Sequence, residues 1–254
     1  MGGFQLIMLP GWGMSRDIWG PFSQELAADF DLTYAGWEDV IAAEGFYKKA
    51  LEIVLNAPNQ PLALMGWSLG SLVALEIAAG YPGKIAQIIL IGGASRFTTD
   101  KTSGYLAGWP GRVLEKMKQN LLNNREKTLR NFYRSMFPED EDGENEARHF
   151  LRRFEHALSA QPLGALVSGL EYLLQTDCRD KLSIISAPLL LIHGARDQIC
   201  PVAASEYILA RVSSRTALKV LPSAGHAPFF SHPGECYNCI KQFMTDPGSG
   251  GPND

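Results

Sequence analysis

The sequence predicts an α/β fold in which a mostly parallel sheet has helices on both faces and carries an inserted helical lid. Short, continuously apolar runs alternate with helix-length stretches, which is the pattern of a parallel sheet that is buried on both sides. One long charged segment interrupts this alternation and contains no convincing strand. The predicted strands are 4–9, 32–35, 62–65, 85–91, 189–193 and 218–221, and helix-length stretches such as Leu69–Gly80 lie between most of them.

The charged segment defines the predicted domain organisation. It covers residues 97–182 and has the residue spacing of several helices. Because it interrupts a parallel sheet, we expect it to form a lid over the carboxyl edge of the strands, where ligands bind in open α/β sheets. Residues 1–96 and 183–246 then form the core. The Gly/Pro-rich end, 247–254, is expected to be a flexible tail.

Composition and charge exclude several classes of function. The 254 residues suffice for one large domain with an insertion, and a formal net charge of −4 argues against nucleic-acid binding by the chain as a whole. No apolar run approaches the roughly 18–20 residues that span a bilayer, and no signal peptide is recognisable. We therefore expect a cytoplasmic monomer that binds neither membrane nor nucleic acid and needs no metal or cofactor.

The four cysteines are too few and too scattered for a disulfide scaffold. Cys236 and Cys239 form a C-x-x-C pair inside the apparent last helix. A redox pair needs to begin a helix beside a βαβ unit, so the sequence favours reduced thiols.

The strongest chemical motif is the run GWSLG at 66–70, which follows an apolar strand and precedes an apolar helix. In this context G-x-S-x-G is a nucleophile elbow, a sharp turn that holds a serine in a strained backbone conformation. The turn also places Ser68 at a helix N-terminus, where N–H groups and the helix dipole stabilise negative charge. The simpler alternative is a serine that only caps the helix.

A serine nucleophile needs a base, and the base needs an acid. His226 follows the last predicted strand, and Asp197 follows the strand before it. The order serine, aspartate, histidine is that of α/β-hydrolases, so we expect Ser68, Asp197 and His226 to form a catalytic triad. The remaining histidines compete less well, because they lie in a strand, in the insertion or at a turn: His193, His149, His156 and His232.

An oxyanion hole requires two backbone N–H donors. The N–H of Leu69 directly follows the nucleophile. The second donor should come from the loop after an earlier strand, where 10–13 (PGWG) places Trp12. We therefore expect Trp12 and Leu69 to form the oxyanion hole and, with His226, to contact the substrate.

Taken together, these residues resemble one family, the pimeloyl-acyl-carrier-protein methyl ester esterases of biotin synthesis. The matching runs are 11–13 (GWG), 66–70 (GWSLG), 168–171 (SGLE) followed by 177–182, and 224–233 (AGHAPFFSHP). The last is the most specific, because its match extends well past the histidine. Resemblance covers most of the chain, although it is uneven.

The sequence also departs from this family in three places. Members usually begin with an antiparallel strand pair, which is absent here because the first strand starts at Phe4. Pro10 stands where members have histidine, and 34–45 lacks their usual D-x-P-G-x-G loop. These departures leave the triad intact and bear on the substrate.

The resemblance implies that the lid binds the acyl chain and recognises an acidic carrier protein through basic residues. Phe132 matches the acyl-contacting aromatic of the family, and with Leu129, Tyr133 and Met136 it recurs at helical spacing on one face. We therefore expect Phe132, Tyr133 and Met136 to contact the substrate. A lid core is the simpler explanation for most of this stripe.

The basic residues of the lid are expected on the opposite faces of two helices. Residues 112–136 hold seven basic and two acidic side chains, a local excess in an acidic protein. An acidic run at 139–146 (EDEDGENE) is expected to form a loop between the two helices. The alternative for the basic faces is a solvated helix surface. The predicted docking residues are Lys127, Arg130, Arg134, Arg148 and Arg152.

The sequence thus predicts a serine carboxylesterase that cleaves a short-chain methyl ester, and the resemblance implies that this ester belongs to a carrier-bound pimeloyl group. A hydrolase-fold lyase or synthase of menaquinone synthesis uses a similar triad, and a thioesterase is a further alternative. From another class, a ligand receptor of the same fold could retain the triad and turn over poorly.

Overall fold

The computed structural model describes residues 3–245, and for 155–159 it describes the backbone only. The predicted tail at 247–254 lies outside the described residues. Six strands form one sheet, and each was expected from an apolar run. Their bounds are β1 Gln5–Leu9, β2 Asp31–Tyr34, β3 Leu62–Trp67, β4 Gln87–Ile91, β5 Leu189–Gly194 and β6 Thr216–Leu221.

The strand order is β2-β1-β3-β4-β5-β6, and every pairing between the described strands is parallel. The predicted fold class is therefore confirmed. The chain reverses direction across the sheet between β1 and β3, which are neighbours. In open α/β sheets the crevice at such a switch point binds ligands, so the loops after β1 and β3 stand where a site is expected.

Helices cover both faces of the sheet, as helices that connect parallel strands must. The central helix follows β3 and is buried along most of its length, which explains its almost unbroken apolar sequence. The α-helices are α1 Gly20–Leu26, α2 Glu44–Leu55, α3 Leu69–Gly80, α4 Gly111–Asn123, α5 Arg125–Arg134, α6 Glu141–Ser159, α7 Leu163–Gln175, α8 Val202–Leu209, α9 Pro228–Ser231 and α10 Pro233–Thr245.

Several expectations about strand ends and loops change. β3 ends two residues later than its predicted run, and β4 begins two residues later. The edge strand β6 begins two residues earlier than its apolar run, because it is only partly buried and its polar residues hide its start. The acidic run at 139–146 is not a loop, since α6 begins at Glu141 within it. Carboxylates in the first turn of a helix offset the partial positive charge of its N-terminus.

Four helices, α4 to α7, lie between β4 and β5, as expected of the insertion. The two ends of this segment are joined at its base, where Cys178 N–H donates to the Ser95 carbonyl (2.7 Å) and Arg96 pairs with Asp177 (2.6 Å). Arg179 adds contacts to Asp177 and Asp100. Because both ends of the segment are bonded to each other at one place, the segment can pack as a unit. That it forms a separate lid domain stays a prediction.

The cysteines are free thiols, and Cys236 and Cys239 lie within α10. Burial raises the pKa of the Cys236 thiol. Within residues 3–245, no helix is both long and apolar enough to cross a membrane.

Candidate active site

The turn between β3 and α3 has the geometry of a nucleophile elbow. Ser68 has a φ of 55°, and it is the only residue other than glycine with a positive φ between residues 3 and 245. A Cβ at Gly66 would lie 2.4 Å from the Gly70 carbonyl oxygen, and one at Gly70 would lie 2.1 Å from that of Leu9. Both glycines of the motif are therefore required by close backbone contacts.

Ser68 precedes α3 without capping it. Its side chain makes no capping hydrogen bond to the helix, which removes the simpler explanation for a serine at this position. The Ser68 N–H donates to the Ile91 carbonyl at the end of β4 (3.1 Å), and Ser71 Oγ donates to the Gly66 carbonyl (2.8 Å). The turn is thus held from both sides, and the Ser68 hydroxyl is left available for chemistry.

Asp197 and His226 form a buried pair at the carboxyl ends of β5 and β6. His226 Nδ1 lies 2.7 Å from Asp197 Oδ2, while Asp197 Oδ1 accepts from the N–H groups of Ile199 and Cys200 (both 2.8 Å). Burial opposes the charge, but His226 together with His193 keeps the pKa of Asp197 below its usual range. A carboxylate can only accept, so the Nδ1 of His226 carries the proton and its Nε2 is the basic nitrogen.

The free nitrogen of His226 is an exception to normal hydrogen bonding. His226 Nε2 is buried and has no hydrogen-bond partner among the described residues. Buried polar atoms are nearly always paired, so an orphan of this kind requires an explanation, and a catalytic role is one. The structure shows no direct hydrogen bond from this atom to Ser68.

The end of β4 links the serine to the aspartate–histidine pair. Ile91 accepts from Ser68, and the next residue, Gly92, has a φ of 51°. A Cβ at Gly92 would lie 3.1 Å from His226 Nδ1 and 3.3 Å from Asp197 Oδ2. The structure therefore brings all three predicted triad residues to one edge of the sheet. Sequence reasoning missed Gly92, which its position directly after a strand could have suggested.

The backbone of His226 is held by two other parts of the chain. Its N–H donates to the Met136 carbonyl (2.7 Å), and its carbonyl accepts from Trp67 Nε1 (2.8 Å). A Cβ at Gly225 would lie 2.3 Å from the same Met136 oxygen. The histidine loop is thus fastened to the elbow and to the segment that follows α5.

The predicted oxyanion donors lie on either side of Ser68. Leu69 is the first residue of α3, so its N–H has no acceptor within the helix. The loop that carries Trp12 approaches from β1, since a Cβ at Gly11 would lie 3.3 Å from Ser68 Cβ. The loop is anchored by Trp37 Nε1, which donates to the Pro10 carbonyl (2.9 Å).

The indole of Trp12 connects this loop to the inserted helices. Its Nε1 donates to the Leu166 carbonyl (2.8 Å), and a Cβ at Gly169 would lie only 2.5 Å from Trp12 Cδ1. This contact explains why α7 carries a glycine at 169, within one of the matched runs. Phe132 of α5 packs edge-on against Trp12 at 4.9 Å.

A narrow cavity of about 10 Å³, no more than the space that one water molecule needs, lies beside Ser68. Ser68 is its only polar side chain except for the indoles of two tryptophans, so the lining is apolar, although an acyl chain fits only after these side chains move apart. Phe132 lines it, as predicted from the family. The lining residues are Trp12, Ser68, Phe97, Trp109, Leu114, Met117, Phe132, Leu170, Leu173 and Ile199.

Four of the six predicted substrate contacts do not line this cavity, namely Leu69, Tyr133, Met136 and His226. Tyr133 is buried, and its hydroxyl donates to the Gly13 carbonyl (3.1 Å). Met136 is also buried, and it is its backbone carbonyl that holds His226. Both residues support the loops around Ser68. The Leu69 side chain likewise lies in the core.

A wide groove between α4 and α5 continues outward from the cavity. The cavity and the groove share Trp109, Met117 and Phe132 as lining residues. The rest of the groove is lined mainly by neutral polar side chains and includes three basic ones, Arg112, Lys116 and Lys127. Of the predicted docking residues, only Lys127 is among its lining.

The other predicted docking residues have different surroundings. Arg130 pairs with Glu126 (3.2 Å) and Arg134 with Glu144 (3.4 Å). Arg148 donates to the neutral amide of Asn145 (2.7 Å), and Arg152 is exposed. The positive charge on α5 is therefore partly neutralised, whereas Arg148 and Arg152 share α6 with the carboxylates Glu141, Asp142 and Glu144 of its first turn.

Comparison with known proteins gives the same assignment as the geometry. The profile of the α/β-hydrolase fold matches residues 5–233. A pimeloyl-[acyl-carrier protein] methyl ester esterase of Aeromonas hydrophila is 31% identical over 256 residues, which cover 95% of this chain and 96% of that protein. Its counterpart in Pseudoalteromonas atlantica is 29% identical over 239 residues, 91% of this chain and 90% of that protein.

Among solved structures, an esterase from Exiguobacterium antarcticum superposes with a TM-score of 0.83 at 20% identity, covering 96% of this chain and 92% of that one. At this identity the likeness supports the fold alone. The profile match and the relatives decide the family. This chain belongs to the α/β-hydrolase fold family and, within it, to the family of the pimeloyl-[acyl-carrier protein] methyl ester esterases.

Proposed function

We propose that the protein is a serine carboxylesterase that hydrolyses the methyl ester of a carrier-bound pimeloyl group in biotin synthesis. The observation that carries the proposal is the buried Asp197–His226 pair, which leaves His226 Nε2 unpartnered at the sheet edge where Ser68 is held with φ 55°. The names of the relatives support the substrate. Because those relatives are named esterases, ester hydrolysis is favoured over a lyase, a thioesterase or a receptor.

The proposed reaction begins when His226 Nε2 takes the Ser68 proton and Oγ attacks the ester carbonyl carbon. The carbonyl electron pair moves to oxygen, and the N–H groups of Leu69 and Trp12 stabilise that oxyanion. Collapse of the tetrahedral intermediate breaks the bond to the methoxy oxygen, which leaves as methanol with the proton from His226. A water molecule, deprotonated by His226, then attacks the acyl-enzyme and releases the free carboxylic acid and Ser68.

The carrier must remain outside the site while the ester lies at Ser68. The acyl chain joins them, so it needs an apolar path from Ser68 to the surface. The cavity lined by Met117 and Phe132 adjoins the groove between α4 and α5, and in this proposal these side chains move apart to open such a path. We propose that the acyl chain follows this route.

The outer part of the route suits a negatively charged partner. Arg112, Lys116 and Lys127 line the groove and have no ion-pair partner among the side chains that the structure describes. The carrier protein that the family resemblance implies is acidic, and unpaired cations attract such a partner. In this proposal Arg148 and Arg152 on α6 offer further positive charge to an acidic carrier, while Glu141, Asp142 and Glu144 at the start of the same helix oppose it. A cytoplasmic location and a monomeric state stay predictions.

Complementation tests the substrate directly. We expect the gene for this chain to restore growth of a biotin auxotroph that lacks its own pimeloyl methyl ester esterase. The same gene with Ser68→Ala should not, while the variant accumulates to a similar level. Failure of the wild-type gene, with active esterase present in the same cells, would contradict the proposed substrate.

The nucleophile is tested by Ser68→Ala. We expect the variant to lose turnover of p-nitrophenyl butyrate and labelling by a fluorophosphonate probe, because no other group can form the acyl-enzyme. Its thermal unfolding should match the wild type or exceed it, since alanine removes a hydroxyl that makes no cap. Residual turnover close to wild type would overturn the triad.

The acid and the base are tested separately. His226→Ala removes the base, and Asp197→Asn favours the wrong imidazole tautomer, so each should lower kcat by about 10⁴-fold. Steady-state kinetics on p-nitrophenyl butyrate measure both effects. A nearly unchanged kcat in Asp197→Asn would mean that another carboxylate orients His226.

The basic surface is tested by reversing charge on α6. Arg148→Glu with Arg152→Glu should lower kcat/KM for a carrier-bound ester and leave p-nitrophenyl butyrate almost unchanged, because surface charge acts on encounter and not on the chemical step. The carrier reaction should also slow as salt rises, since attraction between exposed charges is screened over about 8–10 Å at physiological ionic strength.

Lys84→Glu with Lys219→Glu is the matched control. These exposed lysines lie before β4 and on β6, so the pair changes the net charge equally without altering the surface of α6. We expect this control to retain most of the carrier reaction. Equal losses in both double variants, or equal losses on both substrates, would show that the α6 face is only a solvated helix surface.

A further inference from the structure

His193 is a completely buried histidine that the proposed reaction does not use. It lies in β5, four residues before Asp197. Sequence reasoning set it aside because it falls within a strand. A buried imidazole among apolar neighbours needs partners for both nitrogens, and the identity of those partners indicates what the ring does.

Both ring nitrogens of His193 have close polar neighbours. Nδ1 lies 2.7 Å from Ser205 Oγ, and Nε2 lies 2.7 Å from the Cys200 carbonyl oxygen. A carbonyl only accepts, so Nε2 must carry a proton and donate it. In the neutral ring Nδ1 then accepts from the Ser205 hydroxyl. The surroundings thus select one tautomer of His193.

The Cys200 carbonyl belongs to the short turn whose N–H groups bind the Asp197 carboxylate. In that turn the N–H groups of Ile199 and Cys200 both donate to Asp197 Oδ1 (2.8 Å each). His193 Nε2 thus donates to the Cys200 carbonyl, and the N–H of the same Cys200 donates to the Asp197 carboxylate. Its Nε2 also lies 3.3 Å from Asp197 Oδ2, the oxygen that contacts His226.

We infer that His193 is a positioning residue for the acid of the triad: its Nε2–H fixes the Asp197–Cys200 turn and places positive charge density beside Asp197 Oδ2. The inference rests on the proposed function, because it assigns Asp197 the task of orienting His226. His193 lines neither the cavity beside Ser68 nor the groove between α4 and α5. It therefore acts on the chemical step and not on substrate binding.

Two amide substitutions of different length test separately the roles of Nε2 and Nδ1 of His193. The amide of His193→Gln can reach the position of Nε2 and donate to the Cys200 carbonyl. The amide of His193→Asn reaches only the position of Nδ1, beside Ser205. We expect His193→Asn to lower kcat for p-nitrophenyl butyrate by roughly 10- to 100-fold, since small misplacements of catalytic groups cost rates of this order. KM should stay within about twofold of wild type, and His193→Gln should recover most of kcat.

Ser205→Ala is the control for a merely structural role, because it removes the partner of Nδ1 and leaves the Nε2–H bond. We expect a kcat near wild type even if its melting temperature falls. If His193→Asn unfolds, His193→Met makes the same comparison, because it fills the space without a donor. Equal kcat for Asn and Gln, or a parallel rise in KM, would overturn the inference.

The proposed function has a separate readout in this experiment. Turnover by the wild type and its loss in Ser68→Ala establish the triad chemistry independently of His193. If those hold and His193→Asn is fully active, only the positioning role fails. If the wild type does not turn over the ester, the proposed function fails first.

Discussion

The architecture of the site depends on one close backbone approach, that of the start of α3 to the end of β1. Gly70 stands so near the Leu9 carbonyl that any side chain would collide with it. This approach forces Ser68 into a left-handed conformation, which costs on the order of 1–3 kcal/mol for a residue with a side chain. Burial of α3 between the sheet and its neighbouring helices offsets that cost. The strain therefore persists at the point where the chemistry is proposed.

The same region tolerates a second local cost, an unpaired buried nitrogen on His226. Its other nitrogen is held by a carboxylate that accepts from two backbone N–H groups and lies near a second imidazole. Natural proteins violate the rules of strain and polar pairing mainly at functional sites. Here both violations fall within one loop cluster, at the carboxyl edge of the sheet.

The inserted helices contribute to this cluster through backbone atoms as much as through side chains. The Met136 carbonyl holds His226, the Leu166 carbonyl holds the Trp12 indole, and the Tyr133 hydroxyl holds the Gly13 carbonyl. Movement of the insertion would therefore disturb the base and the oxyanion loop together. Only Phe132 of the predicted acyl-contacting residues also lines the cavity. The insertion thus holds the loops around Ser68 and lines the neighbouring cavity at the same time.

The sequence by itself determined the fold class, the six strands and the three residues proposed as the triad. Strand periodicity, the G-x-S-x-G motif and the order of acid and histidine are local properties that the chain carries wherever it folds. Only the tertiary structure decided which groups meet across distant segments. Gly92 packs against His226, and the Met136 carbonyl accepts from the His226 N–H, so both contacts join residues from different elements. His193 lies beside Asp197, which joins a strand to the turn after it.

The predictions for the lid were less complete for the same physical reason. Helical spacing shows which side chains share a face, but not what that face meets. Tyr133 and Met136 lie on the same helical face as Phe132 and yet pack beneath the loops around Ser68. Arg130 and Arg134 pair with carboxylates that helical spacing alone did not reveal. Periodicity is set by the backbone of one helix, while contacts are set by how several helices pack on the sheet. That packing depends on all of their surfaces at once, so it is readable only in the folded structure.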